Sequence, residues 1–470
     1  MKKKYITLLI ILCFICFCDG CQRKVILNNI IEYNKNEPSF NGITQINLDE
    51  EYSRGISNHL IRIENKLIFL GFPWVGANEK PKQLDLDEYD LSGKLLLSKQ
   101  LFFSIGKVPY TDMKIALNSE NLFIACPFSL NEQEGILVTR LANNYVVVWT
   151  KFLSFQEYNL ILSDLSVNDR NDVFLSGTFS DKNVNTTKCF TIQINEKEII
   201  IYKQEIYINK AMIKFNAMNL HATVVDKDGN LFFVGWTESL GKTSLYNALG
   251  FVGKISKEGK LVFLKGIMKS NQEGITQFKN IQLLTNNNLL LTGISGYGGL
   301  FLMECNLDGE IVKVINIKEF PSTFMPNVTS YKENLIIIQT IVNNKQEEEY
   351  DLIFLNLTLN TNQSDPIQTK RSFNGLGKLY EDILLKSFFK KDTMVIPLMQ
   401  SVKKKLFFLN FDTSGRLLEG DIDSEEFTRP MSCKDITKEV FTEDWFSDNN
   451  IVKKTMNIEC KNLKDMILLK

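Results

Sequence analysis

The sequence predicts an all-β chain made of one four-stranded antiparallel unit repeated seven times, and three observations predict it. A strand with a polar first residue and an apolar body recurs as Lys66–Gly71, Asn121–Cys126, Asp172–Gly177, Asn230–Gly235, Asn288–Gly293, Asn334–Gln339 and Thr393–Leu398. Each copy is followed by a second strand that runs into a tight turn, as in Phe251–Gly259, Phe301–Gly309 and Phe407–Gly415. Between Leu60 and Ile422 no amphipathic helical period breaks the series. Successive copies start 46 to 59 residues apart (289 to 335, 335 to 394), a period that fits propeller blades. The expected fold is therefore a seven-bladed β-propeller over residues 58–422.

The N-terminus comes first in the chain and carries the location. Lys2, Lys3 and Lys4 precede an apolar run from Tyr5 to Cys18 and then Asp19, Gly20 and Cys21. A basic start and a short apolar core describe a secretory signal over residues 1–20, since a membrane-crossing helix needs about 20 apolar residues. Gly20 before Cys21 resembles the cleavage site of bacterial lipoproteins, which implies a lipid on Cys21 and a chain anchored in the cell envelope. Plain secretion and an uncleaved anchor are the alternatives. Gln22 stands where lipoproteins retained in the inner membrane often carry Asp, which favours the outer membrane. Residues 21–57 then read as a linker with one strand, Ile43–Leu48, able to close a ring.

The unit is clearest over Asn230–Leu264, with a weaker strand at Ala217–Val225 before it. Asp or Ser opens its turns and Gly fills the positions that need positive φ. The innermost strand of a blade is covered on both faces, so unbroken apolar runs are expected in such a fold. The tail, residues 423–470, leaves the pattern: Phe427, Trp445 and Phe446 lie among acids, followed by apolar runs at Ile451–Ile458 and Met466–Leu469. One of those runs, or Ile43–Leu48, is expected to close the ring, because closure removes an exposed edge.

These repeats resemble the SBBP-type β-propeller repeats of exported bacterial proteins. Gly250–Lys254 leads through Ile255–Gly259 into Leu261–Phe263 in the manner of that family. The resemblance spans about 360 residues and implies fold and export rather than an activity. A looser likeness to the propeller lipoprotein of outer-membrane β-barrel assembly points to envelope assembly as a process.

Chemistry is sparse in this chain. Its net charge of −1 leaves no electrostatic footprint for nucleic acid. Only two histidines occur, His59 and His221. Neither has a ligand residue at metal spacing, and both read as structural, so no metal and no cofactor is expected. Of nine cysteines, Cys126, Cys189 and Cys305 read as buried thiols, while Cys433 and Cys460 could pair within the tail. Gly293–Gly299 lacks the spacing of a nucleophile elbow, so Ser295 belongs to a loop. Asp226–Gly229 is a turn rather than a calcium loop. Aromatics follow the glycine-ended strands: Phe72, Trp74, Phe128, Phe179, Trp236 and Tyr297. Equivalent loops of a repeat array converge on one face, so Trp74, Phe128, Phe179, Trp236 and Tyr297 form a candidate surface for an envelope protein or peptide. Packing between blades is the competing reading. The expected function is a non-enzymatic, lipid-anchored scaffold. The alternative is an envelope carbohydrate-binding or glycan-active protein using Asp87, Asp226 or Glu304.

Overall fold

A computed structural model describes residues 43–47, 58–63, 66–71, 83–90, 95–103, 106, 108, 113–118, 121–155, 158–181, 184–208, 215–239, 249–269, 276–295, 299–318, 327–331, 335–344, 349–358, 368–373, 382–384, 388–390, 393–400, 405–412, 426–427, 432–444, 451–456, 458–462 and 467–469. Cys21, Trp74 and Tyr297 lie outside these residues. Among them the chain is all-β, built of antiparallel sheets, with one 3-10 turn at Thr437–Glu439 and no α-helix.

All seven predicted apolar strands are present, each as the second strand of a unit. The fourth unit shows the pattern. Phe215–Val225, Leu231–Ser239, Leu249–Ile255 and Leu261–Lys269 pair in chain order, all antiparallel. Its turns follow their sequence chemistry. The Asp226 carboxylate accepts from the backbone N–H of Asp228 and Asn230 and from the Asn230 amide, at 2.8 to 2.9 Å, which frees Gly229 to take φ +89°. Both carboxylate oxygens are spent on the turn, as a turn rather than a cation site requires. Ser256 to Lys260 closes the last hairpin in the same way, with Gly259 at φ +78°. Units over 58–103, 114–154, 158–208, 276–318 and 327–373 repeat this order of pairing, and a seventh spans 382–412. The third and fourth units are joined by a single parallel pair, Thr187 with Ala217.

Period-two alternation lets every strand serve two neighbours. Alternate side chains of one strand reach the cores on its two sides: Phe123 and Ala125 pack toward the third unit with Leu162, Val173 and Ile192, whereas Leu122 and Ile124 pack toward the first with Ile68 and Leu86. Phe233 and Phe251 meet Phe174 of the third unit, while Phe232 and Val252 meet Leu289 and Met303 of the fifth. The predicted buried thiols of Cys126, Cys189 and Cys305 sit in these interfaces.

The termini are the part that the sequence left open. Ile43–Asn47 pairs antiparallel with Lys405–Asp412 and becomes the last strand of the seventh unit. The tail runs the other way round the molecule. Glu426–Phe427 adds to the fourth strand of the sixth unit, Ser432–Asp435 to the fifth, Val440–Asp444 to the fourth, Ile451–Thr455 to the third, Glu459–Asn462 to the second and Ile467–Leu469 to the first. Each addition is antiparallel, so six units gain an extra outer strand from the tail in reverse order, while Ile43–Asn47 supplies the fourth strand of the seventh. Between additions the tail seals the seams: Ile436 and Val440 enter the core between the fourth and fifth units, and Met456 and Ile458 the core between the second and third.

This course separates the two tail cysteines. Cys433 lies on the strand added to the fifth unit, Cys460 on the strand added to the second, and Cys460 is a free, exposed thiol. The disulfide considered from sequence is thus not formed: each cysteine is committed to the edge of a different sheet.

Candidate functional site

The first strands of the second to fifth units lie side by side, Lys114–Asn118 against Tyr158–Val167, then Phe215–Val225, then Thr276–Leu283. Three of them carry a β-bulge at the same place. The register shifts between Leu162 and Asp164, between Leu220 and Ala222, and between Phe278 and Asn280. The inserted residues are Ser163, His221 and Lys279. A bulge bends the strand and re-aims the extra side chain.

Glycine makes the bulge possible. Leu162, Leu220 and Phe278 pair across the hairpin with Gly177, Gly235 and Gly293. A Cβ on Gly235 would collide with the carbonyl oxygen of Asn219, and one on Gly177 with that of Ile161. The terminal glycine of the repeat thus accepts the bulged backbone lying on it.

At two successive bulges the re-aimed side chains meet. Lys279 Nζ lies 2.9 Å from His221 Nε2, and the Trp236 indole N–H donates to the same nitrogen over 2.8 Å. Two donors converging on Nε2 require it to be unprotonated, which places the ring proton on Nδ1. The imidazole and indole planes are 15° apart, and the Lys279 ammonium stands 5.5 Å from the centre of the Trp236 ring, within cation–π range. Burial, then the charges of Lys279 and Lys114, push the His221 pKa down to about 4, so the ring is neutral at pH 7. Burial lowers Lys279 to about 8, and it remains mostly cationic at neutral pH. Lys114 starts the first strand of the second unit, and its charge reaches His221 in the fourth. His221, Trp236, Lys279 and Lys114 are all partly exposed.

The carboxylate one residue past the third-unit bulge, Asp164, is already engaged. Asp164 accepts from the backbone N–H of Leu165 and from the N–H and hydroxyl of Thr223, at 2.6 to 3.0 Å, tying the third unit to the fourth. Among the described residues neither Lys279 nor Lys114 has a carboxylate partner. Ile161, on the first strand of the third unit, is 57% exposed.

Several residues singled out from sequence stand elsewhere. Phe128 and Phe179 are corrections: both are about 2% exposed or less and pack between units, Phe128 against Phe103 and Phe152, Phe179 against Phe190. Their strands do not stop at the glycine-equivalent position but continue to Leu130 and Asp181, so these aromatics remain in the sheet. Trp236 alone among the described members of that set is partly open, and it belongs to the His221 cluster. His221, read as structural, is its central acceptor. His59 lies on the first strand of the first unit, Asn58–Ile63. Asp87, Asp226 and Glu304 are not brought together. Asp87 is buried in the first unit, Asp226 caps a turn of the fourth, and Glu304 accepts from the amides of Asn286 and Asn288 in the fifth. Among the described residues no group of three His, Cys, Asp or Glu is placed to hold a metal ion.

A spacing in the sequence marks the cluster. Ser163, His221 and Lys279 each precede their opposing glycine, Gly177, Gly235 and Gly293, by 14 residues (177 − 163, 235 − 221, 293 − 279).

No family model matches this chain, and no curated protein matches it. Solved structures similar to it include three named proteins. One is the polysaccharide lyase Uly1, at 9% identity and TM-score 0.46, covering 76% of this chain and 89% of the lyase. Another is a quinonprotein alcohol dehydrogenase-like protein from Bacteroides thetaiotaomicron, at 10% identity and TM-score 0.34, covering 83% and 94%. A third is the hemagglutinin-neuraminidase ectodomain of parainfluenza virus 5, at 9% identity and TM-score 0.34, covering 82% and 90%.

Proposed function

We propose that this chain is a seven-bladed β-propeller of exported, SBBP-like repeats, held at the outer membrane by a lipid on Cys21, that serves as a non-enzymatic scaffold binding an envelope protein or peptide. In this reading the pairing of Ile43–Asn47 with the seventh unit closes the ring, and the tail adds an outer strand to each of the other six units. Short added strands blunt those outer edges, so this reading places binding on the loops and the inner ends of the first strands.

The observation that carries this reading is the Lys279–His221–Trp236 cluster. A partly exposed ammonium is held by a neutral imidazole on an indole face, with no carboxylate among the described residues to neutralise it. Tryptophan is among the residues enriched at binding hot spots, and Trp236 stays partly open here beside a cation. No bond-breaking role follows from the arrangement, since His221 is fully occupied as an acceptor.

Crosslinking in the native envelope tests the scaffold reading. Wild-type chain is expected to capture a reproducible partner protein, and Trp236→Ala to lose it. A Cys21→Ala chain is expected to leave the membrane fraction. Capture that is indifferent to Trp236→Ala would move the binding surface to another face, and a chain that captures no protein at all would end the proposal.

A further inference from the structure

We infer that the Lys279 site recognises an acidic peptide segment, in which a carboxylate of the partner docks on the ammonium and an adjacent apolar side chain lies toward Ile161. This rests on the scaffold reading above and names the chemistry of its partner.

An ammonium has three donors. One of Lys279's points to His221 Nε2, 2.9 Å away. The acceptor lone pair is shared with the Trp236 N–H, so the remaining two ammonium donors must be satisfied by water or by a ligand. A carboxylate fills that role best, because charge-assisted N–H···O bonds are the strong ones. Lys114, at the start of the second unit's first strand, adds a second positive charge to the field at this imidazole. The charged groups of the neighbouring strands do not compete. Asp164 spends its oxygens on Leu165 and Thr223, and the other positive bulge position, His221, is neutral.

The order of first strands favours a peptide over a free anion. Ile161 projects from the third unit, exposed by 57%, His221 occupies the fourth and Lys279 the fifth. Ile161 stands two residues before the inserted Ser163 on the third-unit strand, which lies beside the fourth-unit strand that carries His221. An extended chain with acidic and apolar side chains in alternation matches that spread, while a small anion would use Lys279 alone.

The closing experiment titrates the purified full chain with a fluorescein-labelled peptide of alternating glutamate and leucine at pH 7 and low salt, read by anisotropy. Saturable binding is expected, weakened at least about ten-fold by Lys279→Met and by a glutamine-for-glutamate peptide, and weakened further by added NaCl. Lys114→Gln is expected to weaken it less, and it keeps the test alive if Lys279→Met fails to fold. Equal affinity of the glutamine peptide, or of both lysine variants, overturns the inference. Binding of polygalacturonate in place of the peptide also overturns it and assigns the site to an anionic sugar. The two proposals fail separately: capture in the envelope without glutamate dependence leaves the scaffold standing and removes the acidic partner.

Discussion

The two edges of each sheet are treated in opposite ways. At the outer edge, the fourth strand of six units hydrogen-bonds to a short antiparallel strand from the tail. At the inner edge, among the described residues, the first strands gain only the single Thr187–Ala217 pair and instead carry bulges, with Ser163, His221 and Lys279 inserted. An unpaired strand edge invites pairing with another chain. Covering it with strands of 2 to 5 residues blunts the hazard. Bulging it, and placing charge there, also discourages strand pairing, yet keeps side chains available. The bent edge keeps the side chains of His221 and Lys279 partly exposed, whereas the covered edge is occupied by backbone pairing.

The comparison breaks most severely if the seal is removed. Deleting residues 423–470 uncovers the outer edges of six units and opens the seams filled by Ile436, Val440, Met456 and Ile458. The truncated chain is expected to self-associate in light scattering, whereas the full chain does not. A single substitution gives the same information in milder form. Ile436 is 3% exposed, and Ile436→Asp buries an unpaired charge, which costs about 3–5 kcal/mol. Denaturant unfolding that shows no loss for Ile436→Asp would mean that the tail does not seal this seam.

At the inner edge the corresponding change is Gly235→Val. Its side chain would strike the Asn219 carbonyl and the Phe251 ring. Overpacking of this kind costs about 3 kcal/mol, and relief of the clash must shift the bulge that aims His221. Loss of peptide binding should therefore accompany the loss of stability. In Ile436→Asp, a tail position that enters the core between the fourth and fifth units without inserting into either bulge, stability should fall while binding by the folded fraction persists. A Gly235→Val chain as stable as wild type would tell against the paired register of Leu220 with Gly235.

How much of this was legible in the sequence depends on the strand. The seven second strands were readable because buried strands are apolar runs, bounded here by Asn or Asp turns and, in several copies, by Gly. The tail strands were not, since each is 2 to 5 residues long and takes its conformation from the strand it joins. Phe128 and Phe179 look like loop residues because the repeat's glycine resembles a strand end, whereas their strands run on to Leu130 and Asp181. They occupy equivalent places in their units, six residues past Leu122 and Val173, and both face the core between units. Trp236 is five residues past Leu231, so with a side-chain period of two it faces the other way. One residue of register separates a core aromatic from a site aromatic. The bulges were hidden because an inserted residue has no composition of its own. Only the 14-residue interval to the glycine reveals it, and only once the pairing is known.

A smaller effect sharpens the inner edge electrostatically. His221 titrates near 4 in the folded chain against an ordinary 6.5. Below pH 6.5 the unfolded chain takes up a proton that the folded chain refuses, so stability falls as pH drops from 6.5 and levels off below about 4. With allowance for its partial exposure, the loss is about 1–2 kcal/mol. His221→Gln is expected to flatten that part of the pH–stability curve. Lys279 works on the other side: its pKa near 8 means that binding of the glutamate peptide weakens as pH rises through 8, when the ammonium is lost. A binding curve flat from pH 7 to 9 would place the anion on another cation.

The smallest expected effect lies at the sealed edge and concerns sulfur. A bond between Cys433 and Cys460 would close a loop of 27 residues (460 − 433) and contribute about 3–4 kcal/mol by the loop-entropy relation. The tail's course forbids it, because the two residues sit on strands added to the fifth and second units, and the Cys460 thiol is free and exposed. Adding a reductant should therefore leave the melting temperature unchanged. Cys460→Ser should shift stability by less than about 0.5 kcal/mol, as expected of a surface site outside any packed feature. Mass spectrometry of the alkylated native chain should find Cys460 labelled without unfolding. A melting temperature that drops on reduction, together with a protected Cys460, would require the tail to fold back on itself instead of running from unit to unit, and the contrast between a sealed outer edge and a working inner edge would be lost with it.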